Sequence, residues 1–122
     1  MDGRRGLTRL LAGLGVASGL ALLVRPQRIV DEVAPAFPAD RVWLVRALGM
    51  RLLVQHGAVL VAPSAALVRL GSAVDLLHAA SMVPLLASPH YGRAARISGG
   101  LAVAYAALGS VLSRRDARDR EG

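Results

Sequence analysis

The stretch Val42–Ala62, VWLVRALGMRLLVQHGAVLVA, decides how the rest of the chain is interpreted. It is long enough to cross a bilayer as one helix, because about 20 apolar residues suffice. It nevertheless carries Arg51 close to its middle, and a charge near the bilayer centre costs roughly 2.5–3.5 kcal/mol on insertion scales. Such a charge requires a partner, and Asp75 is the acid that lies inside another apolar stretch. The sequence therefore predicts a membrane protein built around an Arg51–Asp75 pair.

The composition of the 122-residue chain favours helices in lipid. Hydrophobic residues make up 54% of the chain and aromatic residues only 3%, whereas a soluble core of this size normally uses more aromatic side chains. Leu, Ala, Val and Gly suit helices that pack closely in a bilayer. A soluble four-helix bundle would need a polar face on every helix, and the first and last apolar stretches have almost none. The fold class predicted is all-α, a transmembrane four-helix bundle in a single domain.

The charge pattern indicates which partners to expect. The formal net charge is +7, and all 15 basic residues are Arg, which favours contact with anionic lipid headgroups. Nucleic acid is not an expected partner, because the arginines flank or interrupt apolar stretches and form no groove-reading helix. The chain has no Cys, so disulfides, thiolate catalysis and Cys-based metal sites are excluded. Neither a cofactor nor a metal site is expected.

Prolines mark the ends of the predicted spans. Four helices are expected at about 7–24, 42–62, 64–87 and 93–112, with a loop at 25–41 and a mixed-charge tail at 113–122. Pro26 ends the first span, and Pro63 leaves so short a connection that the second and third spans form an antiparallel hairpin. The first stretch is either a signal peptide or a retained helix, and its length and the lack of an A-x-A site favour a retained helix. The loop either holds a short interfacial amphipathic helix or is solvated.

Small residues at helical spacing indicate where helices meet. Gly15 and Gly19 form a GxxxG match in the first span, which allows close approach of a neighbour. The fourth span has a stripe of small residues four apart, namely Ser98, Ala102, Ala106 and Ser110. The tail contains oppositely charged pairs at i,i+4 spacing, Arg115/Asp119 and Asp116/Arg120. We therefore expect the fourth helix to be able to extend out of the membrane.

The arginine distribution predicts the orientation. With four spans, seven arginines flank the side that carries both termini: Arg4, Arg5, Arg9 and the four of the tail. Five lie on the other side: Arg25, Arg28, Arg41, Arg93 and Arg96. By the positive-inside rule both termini are predicted to be cytoplasmic, in a multi-pass protein of the plasma membrane.

The pairing of Arg51 with Asp75 is predicted from the number of residues that separate each of them from Pro63. Arg51 lies twelve residues before Pro63 and Asp75 twelve after it, so a rise of 1.5 Å per residue puts both roughly 18 Å from the turn. A guanidinium can meet a carboxylate in a bidentate fork. His78, one turn after Asp75, shares its face, and Ser72 flanks it on the other side. The predicted polar cluster is therefore Arg51, Asp75, His78 and Ser72, acting either as a structural clasp or as a proton-handling or ligand-binding site.

Two further arginines interrupt the apolar stretches near their ends. Arg46 lies five residues into the second span and Arg69 six residues into the third. Both are close enough to an end for the guanidinium to reach the interface while the aliphatic stem stays in the apolar layer. We expect them to snorkel and to take no part in the cluster.

The second span also carries a family resemblance. The sequence Arg46-Ala47-Leu48-Gly49-Met50-Arg51, followed by Gly57, with Pro26 after the first span and Ala73-Val74-Asp75 in the third, resembles the small four-span bacterial membrane proteins of the DoxX-like group, whose function is unknown. In that group an acid often follows the second Arg, and the gap to the Gly is shorter; here Leu52 follows, and Gly57 is one residue further on. The resemblance covers about residues 7–112 and implies a fold but no activity.

The expected function is that of a non-enzymatic accessory or interaction protein whose partner is another membrane protein or a second copy of the chain. The sequence has no nucleophile elbow, Gly-rich phosphate loop or metal motif. One alternative is a membrane enzyme acting on a lipid-soluble substrate, with Asp75 and His78 as acid and base. Another is a small transporter or proton relay, for which four short helices leave little room unless the protein oligomerises.

Overall fold

The described residues fold into four long α-helices and one short one. The structure, a computed structural model, describes residues 2–122 except for the side chains of Asp2, Asp116, Ala117 and Arg120. The α-helices are α1 (Asp2–Val24), α2 (Pro26–Val33), α3 (Val42–Val61), α4 (Ala65–Met82) and α5 (Gly92–Glu121), with 3-10 turns at Ala39–Arg41 and Val83–Leu85. Four segments are long and apolar enough to cross a membrane: Gly3–Val24, Ala39–Val61, Ala65–Leu85 and Gly92–Arg115. The predicted fold class, an all-α transmembrane four-helix bundle, is confirmed.

Two segments outside the four predicted spans are helical, which for each was one of the predicted alternatives. The connection 25–41 contains α2, which starts with Pro26, a residue well suited to a first helical turn. This helix buries Val30. The tail 113–122 continues α5 to Glu121, and Arg4 of α1 forms an ion pair with Asp119 there. A tertiary contact thus stabilises the tail helix. Among the described side chains Asp119 pairs with Arg4, and the predicted ion pair of Asp119 with Arg115 is not formed. The Asp116/Arg120 pair lies outside the described side chains.

Helices α1 and α3 are antiparallel and pack backbone to backbone. A Cβ atom added to Gly19 would lie 2.7 Å from the carbonyl oxygen of Gly49, and one added to Gly49 would lie 2.8 Å from that of Gly19. A Cβ on Gly15 would fall 2.2 Å from the ring of His56. The close approach expected at the GxxxG match is therefore present, and its partner is the third helix of the chain, α3.

Helices α4 and α5 form the second close antiparallel pair. In the small-residue stripe Ala102 and Ala106 are buried, and the two serines at its ends are half-buried. A Cβ on Gly109 would lie 2.6 Å from the hydroxyl of Ser72. The predicted packing role of this face of α5 is confirmed, and its partner is α4.

The two pairs, α1/α3 and α4/α5, are joined at both ends of the bundle. One end, called the terminal face here, carries both ends of the chain and the α3–α4 connection, and the Arg4–Asp119 ion pair joins α1 to α5 there. At the opposite end the rings of Phe37 and Tyr91 meet edge to face, with centroids 5.3 Å apart. Helices α3 and α4 are neighbours with a short connection, as expected, but their backbones approach far less closely than those within each pair.

Candidate functional site

The acid predicted at the centre of the bundle is buried on α4. Asp75 is 4% exposed and lies on a face with Gly71 and Ser72, which are also buried. The helix carrying it starts after Ser64, whose hydroxyl accepts a hydrogen bond from the backbone N–H of Leu67. Asp75 is ten residues beyond Ala65, so it lies about 15 Å along α4 from the terminal face.

Arg51 of α3 reaches this carboxylate from the neighbouring helix. Its Nη1 lies 3.4 Å from Oδ1 of Asp75, and its side chain is 26% exposed against 5% for the acid. The contact is made by a single nitrogen, and Nε of Arg51 has no hydrogen-bond partner among the described residues. The contact is not the bidentate fork that was expected to be possible, because another side chain binds the second carboxylate oxygen.

That side chain is Gln55, which is not a member of the predicted cluster. Its Nε2 donates to both carboxylate oxygens of Asp75 at 3.2 Å and to the carbonyl oxygen of Gly71 at 3.3 Å. Its Oε1 accepts from Nη1 of Arg51, also at 3.3 Å. The three side chains Arg51, Gln55 and Asp75, called the polar clasp below, therefore connect α3 to α4 through hydrogen bonds and one ion pair.

A signal for Gln55 was present in the sequence. It lies four residues after Arg51 and hence on the same helical face. Gln55 is also eight residues before Pro63, and Gly71 is eight residues after it. The two residues are therefore expected at the same depth in the hairpin, as Arg51 and Asp75 are. The absence of a side chain at Gly71 matters, since a Cβ there would lie 3.2 Å from Nε2 of Gln55.

A small cavity lies beside the clasp and touches all four long helices. Its volume is about 50 Å³. The polar side chains that line it are Thr8 of α1, Gln55 and His56 of α3, Ser72 and Asp75 of α4, and Tyr105 of α5. The predicted cluster members Asp75 and Ser72 thus share one space, and four polar residues outside the predicted cluster join them: Thr8, Gln55, His56 and Tyr105.

His56 is the most buried of the histidines. It is 6% exposed, lies over Gly15, and its ring centroid is 4.8 Å from that of Tyr105. The hydroxyl of Tyr105 donates to the carbonyl oxygen of Leu11 at 3.2 Å. Within the described part of the chain, Nε2 of His56 has no hydrogen-bond partner. The site therefore contains a buried polar atom with an unused hydrogen-bonding position.

His78 is separate from this arrangement. It is half-buried, it does not line the cavity, and its Nε2 has no partner among the residues described. In the same described set, no group of three or more His, Cys, Asp or Glu side chains is placed to hold a metal ion. The structure thus brings Arg51, Ser72 and Asp75 together and leaves His78 one turn away, without a hydrogen bond from its Nε2 to the carboxylate.

Comparison with known proteins adds no assignment. No family model, no curated protein and no solved structure matches the chain. The DoxX-like resemblance of the second span therefore stays a prediction about fold, and the interpretation of the site rests on its own geometry.

Proposed function

We propose that the protein is a non-enzymatic, multi-pass protein of the plasma membrane that works as an accessory or interaction protein. In this proposal the polar clasp is structural: it joins the α1/α3 pair to the α4/α5 pair and fixes their register. The observation that carries the proposal is the way Asp75 is held. Its two oxygens accept from Arg51 and Gln55 of the same chain, and the space beside it measures only about 50 Å³.

The size of the cavity supports a structural role over catalysis. Small-molecule sites usually measure about 300–1,000 Å³, so a lipid-soluble substrate has no room beside Asp75 within one copy of the chain. The enzyme alternative also requires Asp75 and His78 to act on one bound molecule. His78 does not line the cavity, which counts against that pairing.

The outer surface supports a location in the bilayer. Large apolar side chains are exposed on each of the four long helices, for example Leu14, Val54, Leu77 and Leu101. Arg46 and Arg69 are exposed as well, consistent with side chains that snorkel to the headgroups. We propose that both termini are cytoplasmic, on the arginine count, and that anionic headgroups contact the flanking arginines.

The partner in this proposal is another membrane protein or a second copy of the chain. The test is crosslinking in intact membranes, followed by purification in mild detergent and quantification of every co-purifying protein against an untagged control. We expect one species, a partner or a second copy, at a fixed ratio to the chain. Recovery of the chain alone, as a monomer with no constant partner, would count against an interaction role.

A matched variant separates the structural clasp from a working site. Arg51→Gln combined with Asp75→Asn removes both charges and keeps similar side-chain volumes. If the clasp is structural, the double variant should retain the partner and complement a deletion strain. A double variant that is stable and keeps the partner but fails to complement would place the activity at the clasp itself.

A further inference from the structure

We propose that the bundle contains a water inlet that opens at the terminal face and ends at Asp75 and His56. It consists of the inner cavity beside the clasp, about 50 Å³, and an outer cavity of about 130 Å³ at the terminal face. The ligand is water. The inlet goes beyond the accessory role proposed above, and it stands or falls independently of that role.

The two cavities meet at three shared side chains. Thr8 of α1, Val68 of α4 and Leu112 of α5 line both, and they are called the neck here. The outer cavity is otherwise lined mainly by polar and charged residues of the terminal face: Arg4, Arg5, Ser64, Ser113 and Asp119, with Pro63 and Ala65. A single layer of side chains, one of them a threonine, therefore separates the clasp cavity from a hydrophilic vestibule.

The inner cavity has the polar partners that a bound water requires. An internal water typically makes about three hydrogen bonds and needs roughly 10–15 Å³ of accessible space, so about 50 Å³ holds more than one. His56 is buried, with 6% of its surface exposed, and its Nε2 has no hydrogen-bond partner among the described residues. Asp75, Ser72 and Tyr105 line the same space. Water there bonds to the polar side chains that line the cavity, which are costly to leave unpaired when buried.

Beyond the clasp, on the side away from the terminal face, the helices of each pair lie in contact with each other. There the backbones of α1 and α3 meet at Gly19 and Gly49, with no space for a Cβ on either residue. In the other pair Met82 of α4 lies beside Gly99 of α5, where an added Cβ would make an ordinary van der Waals contact with the methionine side chain at 3.4 Å. The proposed inlet is one-sided.

The test uses silver ion, a probe of about the size of water, on single cysteines in this chain, which has no native Cys. Ser72→Cys places a thiol in the inner cavity, and Ala102→Cys is the control, since the two positions are similarly buried at 7% and 5%. Arg5→Cys reports which face of a sealed vesicle is accessible. Free thiols that remain are counted afterwards with a permeant maleimide under denaturing conditions.

We expect Ser72→Cys to react with silver applied at the terminal face at least about tenfold faster than Ala102→Cys, which reacts only through local opening. From the opposite face the two rates should be equal. Adding Val68→Phe, which fills the neck, should lower the rate of Ser72→Cys and leave that of Arg5→Cys unchanged. Equal rates for Ser72→Cys and Ala102→Cys at the terminal face, or equal access from both faces, would overturn the proposal.

A second measurement needs no substitution. Radiolysis of water generates hydroxyl radicals beside internal waters, and these oxidise the nearest side chains. In the unmodified protein we expect oxidation of His56 and Tyr105 in addition to that of the exposed Trp43. Oxidation of Trp43 with neither His56 nor Tyr105 modified would show that the inner cavity is dry, and the inlet would be refuted.

Discussion

Nε2 of Gln55 donates to both carboxylate oxygens of Asp75, at 3.2 Å each, and so binds the acid at two points where Arg51 binds it at one. In a low-dielectric interior a carboxylate is expensive unless its lone pairs are used. The ion pair alone leaves most of them free. The glutamine therefore completes the solvation of Asp75 and also orients Arg51 through its own oxygen.

Gln55→Leu is expected to destabilise the bundle, because Asp75 loses the amide nitrogen that donates to both of its oxygens while the side-chain volume is roughly kept. Leaving a buried polar group unsatisfied costs about 1–3 kcal/mol. The measurement is the melting temperature in detergent. The control is Met50→Leu, a volume-conserving change at a residue of α3 that is 52% exposed. Equal melting temperatures for the two variants would show that Gln55 does not support the acid.

Gly19→Ala should lower the melting temperature, and Gly13→Ala should not. The new methyl group at Gly19 meets the carbonyl oxygen of Gly49, so α1 and α3 must separate, and overpacking of this kind typically costs about 1–3 kcal/mol. Around Gly13 no atom lies within 4 Å of an added Cβ, so that change is neutral or slightly favourable by helix propensity. A similar loss in both variants would mean that α1 does not pack on α3 through Gly19.

Much of this fold could be predicted because it depends on counting along the chain. Apolar length gave four spans, and the shared distance from Pro63 placed Arg51 level with Asp75. The packing partners could not be predicted in the same way. Four apolar helices can pair in several ways, and the tight contacts within α1/α3 and α4/α5 depend on which glycines and alanines face each other in three dimensions.

The missed parts of the site have a similar cause. Gln55 is polar but uncharged, and within an apolar stretch a glutamine gives a weaker signal than an arginine. His56 is a lone histidine in an apolar stretch, and its neighbours Gly15 and Tyr105 come from helices far away in the sequence. Outside the site, the α2 helix and the extension of α5 were open alternatives, because the polar residues of these segments fit a loop as well as a helix.

Ala106→Leu should lower the melting temperature, while Ala107→Leu should leave it nearly unchanged. Ala106 is 2% exposed in the α4/α5 contact, and its neighbour is exposed. A larger side chain at the buried position forces α5 away from α4, at a typical cost of about 1–3 kcal/mol. The pair of variants tests which face of α5 meets α4, since the same change is made one residue apart. If both leave the melting temperature unchanged, the stripe faces lipid.

Cysteines introduced at Gly3 and Glu121 should resist a membrane-impermeant thiol reagent in intact cells and react after permeabilisation. The reason is the excess of arginines beside the terminal face, seven against five. The parent chain has no Cys, so it serves as the unlabelled control. Labelling at both positions in intact cells would reverse the orientation. Labelling at only one would contradict an even number of spans.

The single changes Arg51→Gln and Asp75→Asn should destabilise the protein to different extents. Breaking a buried pair typically costs about 3–5 kcal/mol. Asp75→Asn leaves a guanidinium without its counter-ion, and Arg51 cannot neutralise itself. Arg51→Gln should be milder, because Asp75 keeps both hydrogen bonds from Gln55. The measurement is the free energy of unfolding of the two single variants and the double variant in detergent.

The double variant decides whether the two residues interact. With both charges removed no partner is stranded, so the combined loss should be smaller than the sum of the single losses, by roughly 0.5–3 kcal/mol for residues in contact. Leu77→Ala, at a residue of α4 that is 72% exposed, is the control to combine with Arg51→Gln, and there the losses should add. If the losses of Arg51→Gln and Asp75→Asn also add, the 3.4 Å contact between these side chains contributes nothing to stability, and the polar clasp is not what joins α3 to α4.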